Sequence, residues 1–353
     1  MRILDRYIAK TVIGGSLMVL LVLGSLMAFI DFVSELDSIG KASYDLLDAI
    51  TYVLLRLPRR LYELFPTAVL IGSLLSLGTL AGNSELTVMR ASGISVMRIV
   101  YSVLKAGFIL LLIVALIGEL VVPNSERQSQ ILKAKDLKQN ISLLKGGFWA
   151  RDGQKFLYVS HVFPGLNLGQ VKVYEFDNNN QLQRITLAES AKYRGDVWQL
   201  AKVRQTEFKK GELLSMEKPS VVWQQLLNPD LFNVVSEQPA NMSAFDLYRY
   251  KNYLQSNQLD SSNYELAFWI KIFTPLSSMV MLLIALPFVF GSQRSTGTGN
   301  RVLVGLLLGI GFYLLNRTIN HLGQVYHFYP FFSASVPVLV VAAFSLYSLR
   351  RVK

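Results

Sequence analysis

Six apolar segments, each about as long as a bilayer is thick when helical, constrain this chain more than any other feature. They are Val12–Val33, Phe65–Ala81, Ile99–Val122, Ala267–Phe290, Val302–Leu322 and Phe331–Leu349. A hydrocarbon core about 30 Å thick takes roughly 20 helical residues. Backbone polar groups at that depth have no water to bond, so each segment is read as a helix. The second is short, but Ala49–Leu57 is apolar just before it, and together they predict one long helix kinked at Pro58. With 52% hydrophobic and 17% charged residues, the composition fits a membrane protein carrying a soluble portion. The N-terminal MRILDRYIAK with apolar residues behind it resembles a secretion signal. The run is too long for one and no small-residue cleavage motif follows, so it is read as a retained first span.

Six crossings put both termini on one side. One set of segments holds Arg2, Arg6, Lys10, Arg90, Arg98, Arg294, Arg301, Arg350, Arg351 and Lys353; the opposite short loops hold Lys41, Arg56, Arg59 and Arg60. Ten cations against four make the first side cytoplasmic. The termini, the stretch 83–95 and GSQRSTGTGNR (291–301) are then inside. Three spans (residues 1–122) precede one large external insert, 123–265, and three (266–353) follow it. The net charge of +11 is read as this loop bias rather than as a nucleic-acid footprint.

The insert has a different pattern. FLYVSHV (156–162), QVKVYEF (170–176) and VWQLAKV (197–203) are short, rich in β-branched and aromatic residues, and partly alternating. Turn signals at RDGQ (151), DNNNQ (177), RGD (194) and KKGE (209) separate them. An antiparallel β-domain over about 145–225 follows, with helical connectors at Asn124–Leu137 and Ala244–Gln255. Its size favours an open, sheet-edged sandwich over a closed barrel. Open edges invite pairing with another chain's sheet.

Several chemistries are absent from the sequence. There is no cysteine, and the three histidines (161, 321, 327) lack metal-ligand spacing. No phosphate-binding G-x-x-x-x-G-K-[ST], no H-E-x-x-H and no G-x-S-x-G occurs. Small residues at 14–18 and 71–78 serve close helix approach. Asp31, Glu63 and Glu119, near span ends, have no evident catalytic partner.

NSELTVMRASGIS (83–95) is polar yet lies between two spans. Ser84 suits an N-cap and Gly93 a left-handed C-cap, bracketing Glu85–Ser92, eight residues or about 12 Å of helix. Leu86 and Met89 share one face, Val88 and Ala91 another. A helix this short needs something to dock on. Two readings remain open on pattern alone. In one, a partner groove supplies apolar contact for Met89 and a cation for Glu85. In the other, this is a polar loop returning the chain to the membrane.

The segments LDRYIAKT (4–11), SELTVMRASG (84–93), KASYD (41–45), FWARDG (148–153) and KIFTPLS (271–277), with the three-plus-three layout around a β-insert, resemble the LptF/LptG family on its LptG side. The likeness covers nearly the whole chain. It implies an α-helical membrane protein of six transmembrane helices (3+3) with an inserted periplasmic antiparallel β-jellyroll-like domain, in the bacterial inner membrane. The implied function is that of a permease subunit of the ABC transporter extracting lipopolysaccharide from the outer leaflet. Residues 84–93 would be the coupling helix seated on the ATPase LptB through Ser84, Glu85, Leu86, Met89, Arg90, Ala91 and Gly93, with Glu85 meeting a basic residue there. ATP and magnesium would sit on that ATPase and no cofactor on this chain. LptF would be the paired permease, LptC would add a helix and a β-domain, and LptA would receive the lipid through joined periplasmic sheets.

Lipid A presents phosphates, which arginine grips in a bidentate fork. Arg56, Arg59 and Arg60 lie at the expected height, Lys41 precedes them in the same loop, Lys271 enters the fourth span from the outer side and Arg317 lies late in the fifth; Arg59 falls where the family carries a basic residue beside the matching proline. The alternative is that these cations meet anionic headgroups without specificity. Asp31 stands where relatives place a lysine, and Arg60 and Lys41 are the residues available to compensate.

Overall fold

A computed structural model describes residues 3–136, 147–152, 154–163, 167–177, 181–194, 197–209, 212–223, 238–290, 298–326 and 328–350. Six helices in it are long and apolar enough to cross a membrane. Helix α1 spans Ile3–Glu35 and α2 Leu46–Gly82; a short α3, Glu85–Ala91, follows. Helix α4, Val96–Leu116, runs through a π-helical turn at Ile117–Val121 into α5, Val122–Asp136. After six strands come α6 (Ala244–Ser256), α7 (Ser262–Phe290), α8 (Thr298–Val325) and α9 (Pro330–Arg350). Three spans thus precede the sheet and three follow it, as the hydropathy pattern predicts. Ala49–Leu57 and Phe65–Ala81 do form one helix, with Pro58 and Pro66 inside it. Most of the glycine-rich loop at 291–301, the basic positions Arg2, Arg294, Arg351 and Lys353, and the tips of the four predicted turns lie outside the described residues.

The chain divides into two compact units, one of residues 1–39, 49–129 and 265–353, the other of residues 40–48 and 130–264. In the first, α2 is the axle. Its most apolar window is 78% buried within the protein, against 17% for α1 and 11% for α8. The small residues of GSLLSLGTLAG let neighbours close on it, and a Cβ built on Gly72 would overlap the backbone of Gly15 and Ser16 on α1. The core continues through Leu70, Leu74 and Leu77 of α2, Ile99, Val103 and Leu110 of α4, and Leu282 and Ala285 of α7.

In the second unit six antiparallel strands pair strictly in chain order. They are β1 Phe148–Asp152, β2 Lys155–Phe163, β3 Asn167–Phe176, β4 Leu182–Arg194, β5 Val197–Lys209 and β6 Glu212–Trp223. Among the described residues β1 and β6 pair on one side only, and in place of the expected sandwich the strands form one sheet with a crease. Ser160, Gln170, Glu189, Lys202 and Pro219 form a row that drops out of the pairing on every strand from β2 to β6. Gln170 and Lys202 adopt φ of 51° and 52°, so each inserts a left-handed step into its strand. That step shifts the alternation by one. Leu168 is buried before it and Val171 and Val173 after it, and Trp198 and Leu200 before, Val203 after. Both halves of each strand therefore turn apolar side chains to the same interior.

Trp198, 1% exposed and 5.2 Å from the Tyr193 ring, fills the middle of that interior. Trp198→Ala should cost about 3–5 kcal/mol and loosen the sheet selectively. Limited proteolysis is expected to cut first within 148–223 while the helical unit stays intact.

Candidate functional site

Helix α3 is seven residues long, Glu85–Ala91. Its start differs from the sequence reading. Ser84 sits at φ 62° and its side chain caps nothing, because the chain spends that residue reversing direction after α2. Its carbonyl instead accepts from the Val88 N–H at 2.9 Å. The serine that caps is Ser95, whose hydroxyl accepts from the Arg98 N–H at the head of α4. The other end is as expected. Gly93 has φ 84°, and the Gly93 and Ile94 N–H groups bond the Arg90 and Met89 carbonyls at 3.0 and 3.1 Å. This Schellman closure needs glycine at the left-handed residue.

Packing chooses between the two stripes of α3. Leu86 is buried in the helical core, and Met89 packs partly against it. Leu86 is not available to a partner and Met89 stays half-exposed, because a seven-residue helix holds its place by burying an apolar face on its own protein. Thr87, Val88, Arg90 and Ala91 are the exposed side chains. Glu85 is half-buried, and its Oε2 accepts a hydrogen bond of 2.7 Å from the Tyr7 hydroxyl of α1.

Just behind lies a second anchor. The Asp5 side chain, nearly fully buried, accepts from Ser102 Oγ at 2.6 Å, Lys105 Nζ at 3.0 Å and Arg98 Nη2 at 3.1 Å. A buried carboxylate persists only when paired and hydrogen-bonded, and here three donors of α4 converge on it. Sequence reasoning missed both Tyr7 and Asp5. Asp5 had a signal: positions 98, 102 and 105 form a polar stripe at i, i+4, i+7 along an apolar helix, which asks for an anion opposite.

The second site is a charge cluster on α2. Arg60 Nε and Nη2 donate to the two carboxylate oxygens of Asp31 on α1, each at 2.8 Å. Arg60 Nη1 also reaches Glu63 at 3.5 Å. Arg59 donates from Nε to Glu63 at 2.9 Å and from Nη1 to Glu126 of α5 at 3.2 Å. Arg56 lies 3.9 Å from the same Glu126 oxygen and over the Tyr52 ring, 5.4 Å from its centroid. Three guanidiniums thus face three carboxylates. Charges half out of water are held by pairing, so the arginines are not bare. Asp31 does not leave this part of the first span anionic; it fills the Arg60 fork and ties α1 to α2. Glu126, 5% exposed, was missed because it lies beyond the third span in a stretch read only as a connector.

The remaining nominated cations have other surroundings. Lys271 is half-buried on α7, where its carbonyl accepts from the Tyr62 hydroxyl of α2 at 3.4 Å. Arg317, exposed on α8, bonds Tyr313 of its own helix at 3.0 Å. Lys41 is exposed and belongs to the unit that contains the sheet.

A model of the lipopolysaccharide export system permease LptF/LptG fits residues 6–351. The chain belongs to the LptF/LptG family. The lipopolysaccharide export system permease protein LptG of Haemophilus influenzae is 36% identical over 340 residues, covering 96% of this chain and 95% of that protein. That of Escherichia coli K12 is 38% identical over 354 residues, covering 99% and 98%. Both are LptG proteins, the side of the family that the sequence resembles. Family membership and the six apolar helices make this a multi-pass inner-membrane protein.

Proposed function

We propose that the chain is the LptG-type permease subunit of an ABC exporter, taking lipopolysaccharide from the outer leaflet and handing it to a periplasmic bridge. The observation that carries this reading is α3. It is a rod fixed by its Schellman end, by Leu86 in the core and by Glu85 on Tyr7, with Thr87, Val88, Arg90 and Ala91 left for a partner. That partner is the ATPase LptB, which holds ATP and magnesium; this chain holds no cofactor and hydrolyses nothing. The Lys/Arg bias puts α3 and both termini in the cytoplasm and the sheet in the periplasm. The thinly buried α1 and α8 face LptF, and the open edges of β1 and β6 serve sheet-to-sheet joining with LptC and LptA.

Of the six cations nominated for the lipid, Arg56 and Arg59 are assigned the phosphate, because the Arg60 fork is already occupied by Asp31. The coupling contact is tested by Glu85→Lys. It removes the acceptor for Tyr7 and reverses the charge offered to the ATPase. Co-purifying LptB is expected to fall at least about tenfold, a loss of about 1.4 kcal/mol or more, with lipopolysaccharide transport falling alongside it. Undiminished ATPase recovery and transport in that variant would sink the coupling assignment.

A further inference from the structure

The three arginine–carboxylate contacts of α2 are unequal. Arg60 and Asp31 are joined by two hydrogen bonds of 2.8 Å, a saturated fork. Arg59 keeps a 2.9 Å bond to Glu63 whatever happens to Glu126. Arg56 forms no hydrogen bond among the described residues. Its Nε is buried without an acceptor, and its one carboxylate neighbour is Glu126 Oε1 at 3.9 Å. Arg56 and Arg59 are three residues apart on one face of α2, and that single Glu126 oxygen serves both.

We propose that Glu126 is an exchangeable counter-ion: a phosphate of the lipid displaces its carboxylate from Arg56 and Arg59, while Asp31–Arg60 stays closed as a brace between α1 and α2. The proposal rests on the lipopolysaccharide reading above. A phosphate group brings three acceptor oxygens and up to two negative charges. It can satisfy Arg56 and Arg59 at once, which one shared carboxylate oxygen does not. Its entry gives up one hydrogen bond of 3.2 Å and one 3.9 Å ion pair. Entry at Arg60 would give up two bonds of 2.8 Å, so the exchange falls at Arg56 and Arg59. The displaced carboxylate, 5% exposed in this structure, is costly to leave without its cations. That cost limits how tightly the phosphate is held and favours its release. A transporter requires this, because cargo that binds at full strength does not move on. Glu126 is accordingly a positioning residue that sets affinity for the phosphorylated headgroup.

The test uses the assembled transporter in lipid nanodiscs, with bisphosphorylated and enzymatically dephosphorylated lipopolysaccharide as probes. Glu126→Gln removes the competing charge while keeping the shape. The expected result is roughly tenfold tighter binding of the phosphorylated lipid, slower release to an acceptor, and no change for the dephosphorylated lipid. Equal changes for both lipids, or no change for either, overturn the exchange. Competition by excess inorganic phosphate as complete as by the lipid also overturns it, since the arginines would then serve a free anion. If the wild type shows no preference for the phosphorylated lipid, the lipopolysaccharide assignment of Arg56 and Arg59 has itself failed, and the exchange with it. Should Glu126→Gln not assemble, two double variants decide. Preference lost in Arg56→Gln with Arg59→Gln but kept in Asp31→Asn with Arg60→Gln supports the assignment, and the reverse pattern overturns it.

Discussion

Gly72→Val is expected to prevent the helical unit from assembling. A side chain there has to enter the backbone of Gly15 and Ser16, not the flexible end of a neighbouring residue. Overpacking at a site that relaxes costs about 1–3 kcal/mol, and two packed helix backbones cannot relax without separating. The expected penalty is therefore at least about 3 kcal/mol. Gly14→Ala is the matched control, because a Cβ at 14 meets nothing, and helix propensity makes alanine there neutral or slightly stabilising. Thermal midpoints in detergent, with the yield of monodisperse protein, give the comparison. Equal midpoints for the two variants would show that α1 does not pack on α2 through this seam.

The second large effect is expected at the Asp31–Arg60 brace. Arg60→Asp opposes two carboxylates across α1 and α2 and leaves Glu63 with Arg59 alone. Asp31→Arg crowds cations against Arg60. Removing one partner of a partly desolvated, doubly bonded pair costs about 2–4 kcal/mol. The double reversal, Asp31→Arg with Arg60→Asp, restores the pair with its polarity exchanged and is expected to recover most of that loss. Additivity of the two single losses in the double variant would show that the pair is not coupled. This cycle tests the brace, not the phosphate, and it predicts recovery of stability whatever the lipid does.

The spans were legible because a run of apolar residues as long as a bilayer is thick has few other uses, and α2 was legible through Pro58 because apolar residues continue on both sides. Half the sheet was not. Strands β2, β3 and β5 announce themselves with Val, Tyr and Phe. β4, with ITLAESAKYR, mixes residues that suit helices, and β6 is exposed along most of its length and carries Pro219, so neither shows clean alternation. The crease was hidden for a different reason. A left-handed step at Gln170 or Lys202 uses no glycine, so the sequence carries no mark of it.

At the sites, residue type was readable and pairing was not. Arg56, Arg59 and Arg60 stand out as cations in an apolar chain. That Arg60 belongs to Asp31, and that Glu126 reaches back from the far side of the third span, depends on tertiary placement. Which face of α3 packs inward was left open because i, i+3 spacing names two candidate stripes and only packing chooses between them. Leu86 and Met89 are the larger pair, and the protein's own core takes them.

The opening turns of α1 are tied at two points, Tyr7 to Glu85 on α3 and Asp5 to Arg98, Ser102 and Lys105 on α4. A displacement imposed on α3 is then not confined to the short linkers at its ends. It is shared with the first and third spans together through bonds that cross about eighty to one hundred residues of sequence, so the stub, α1 and α4 shift as one lever. Cutting the tie at Tyr7 alone would leave that lever with a loose joint between α3 and α1.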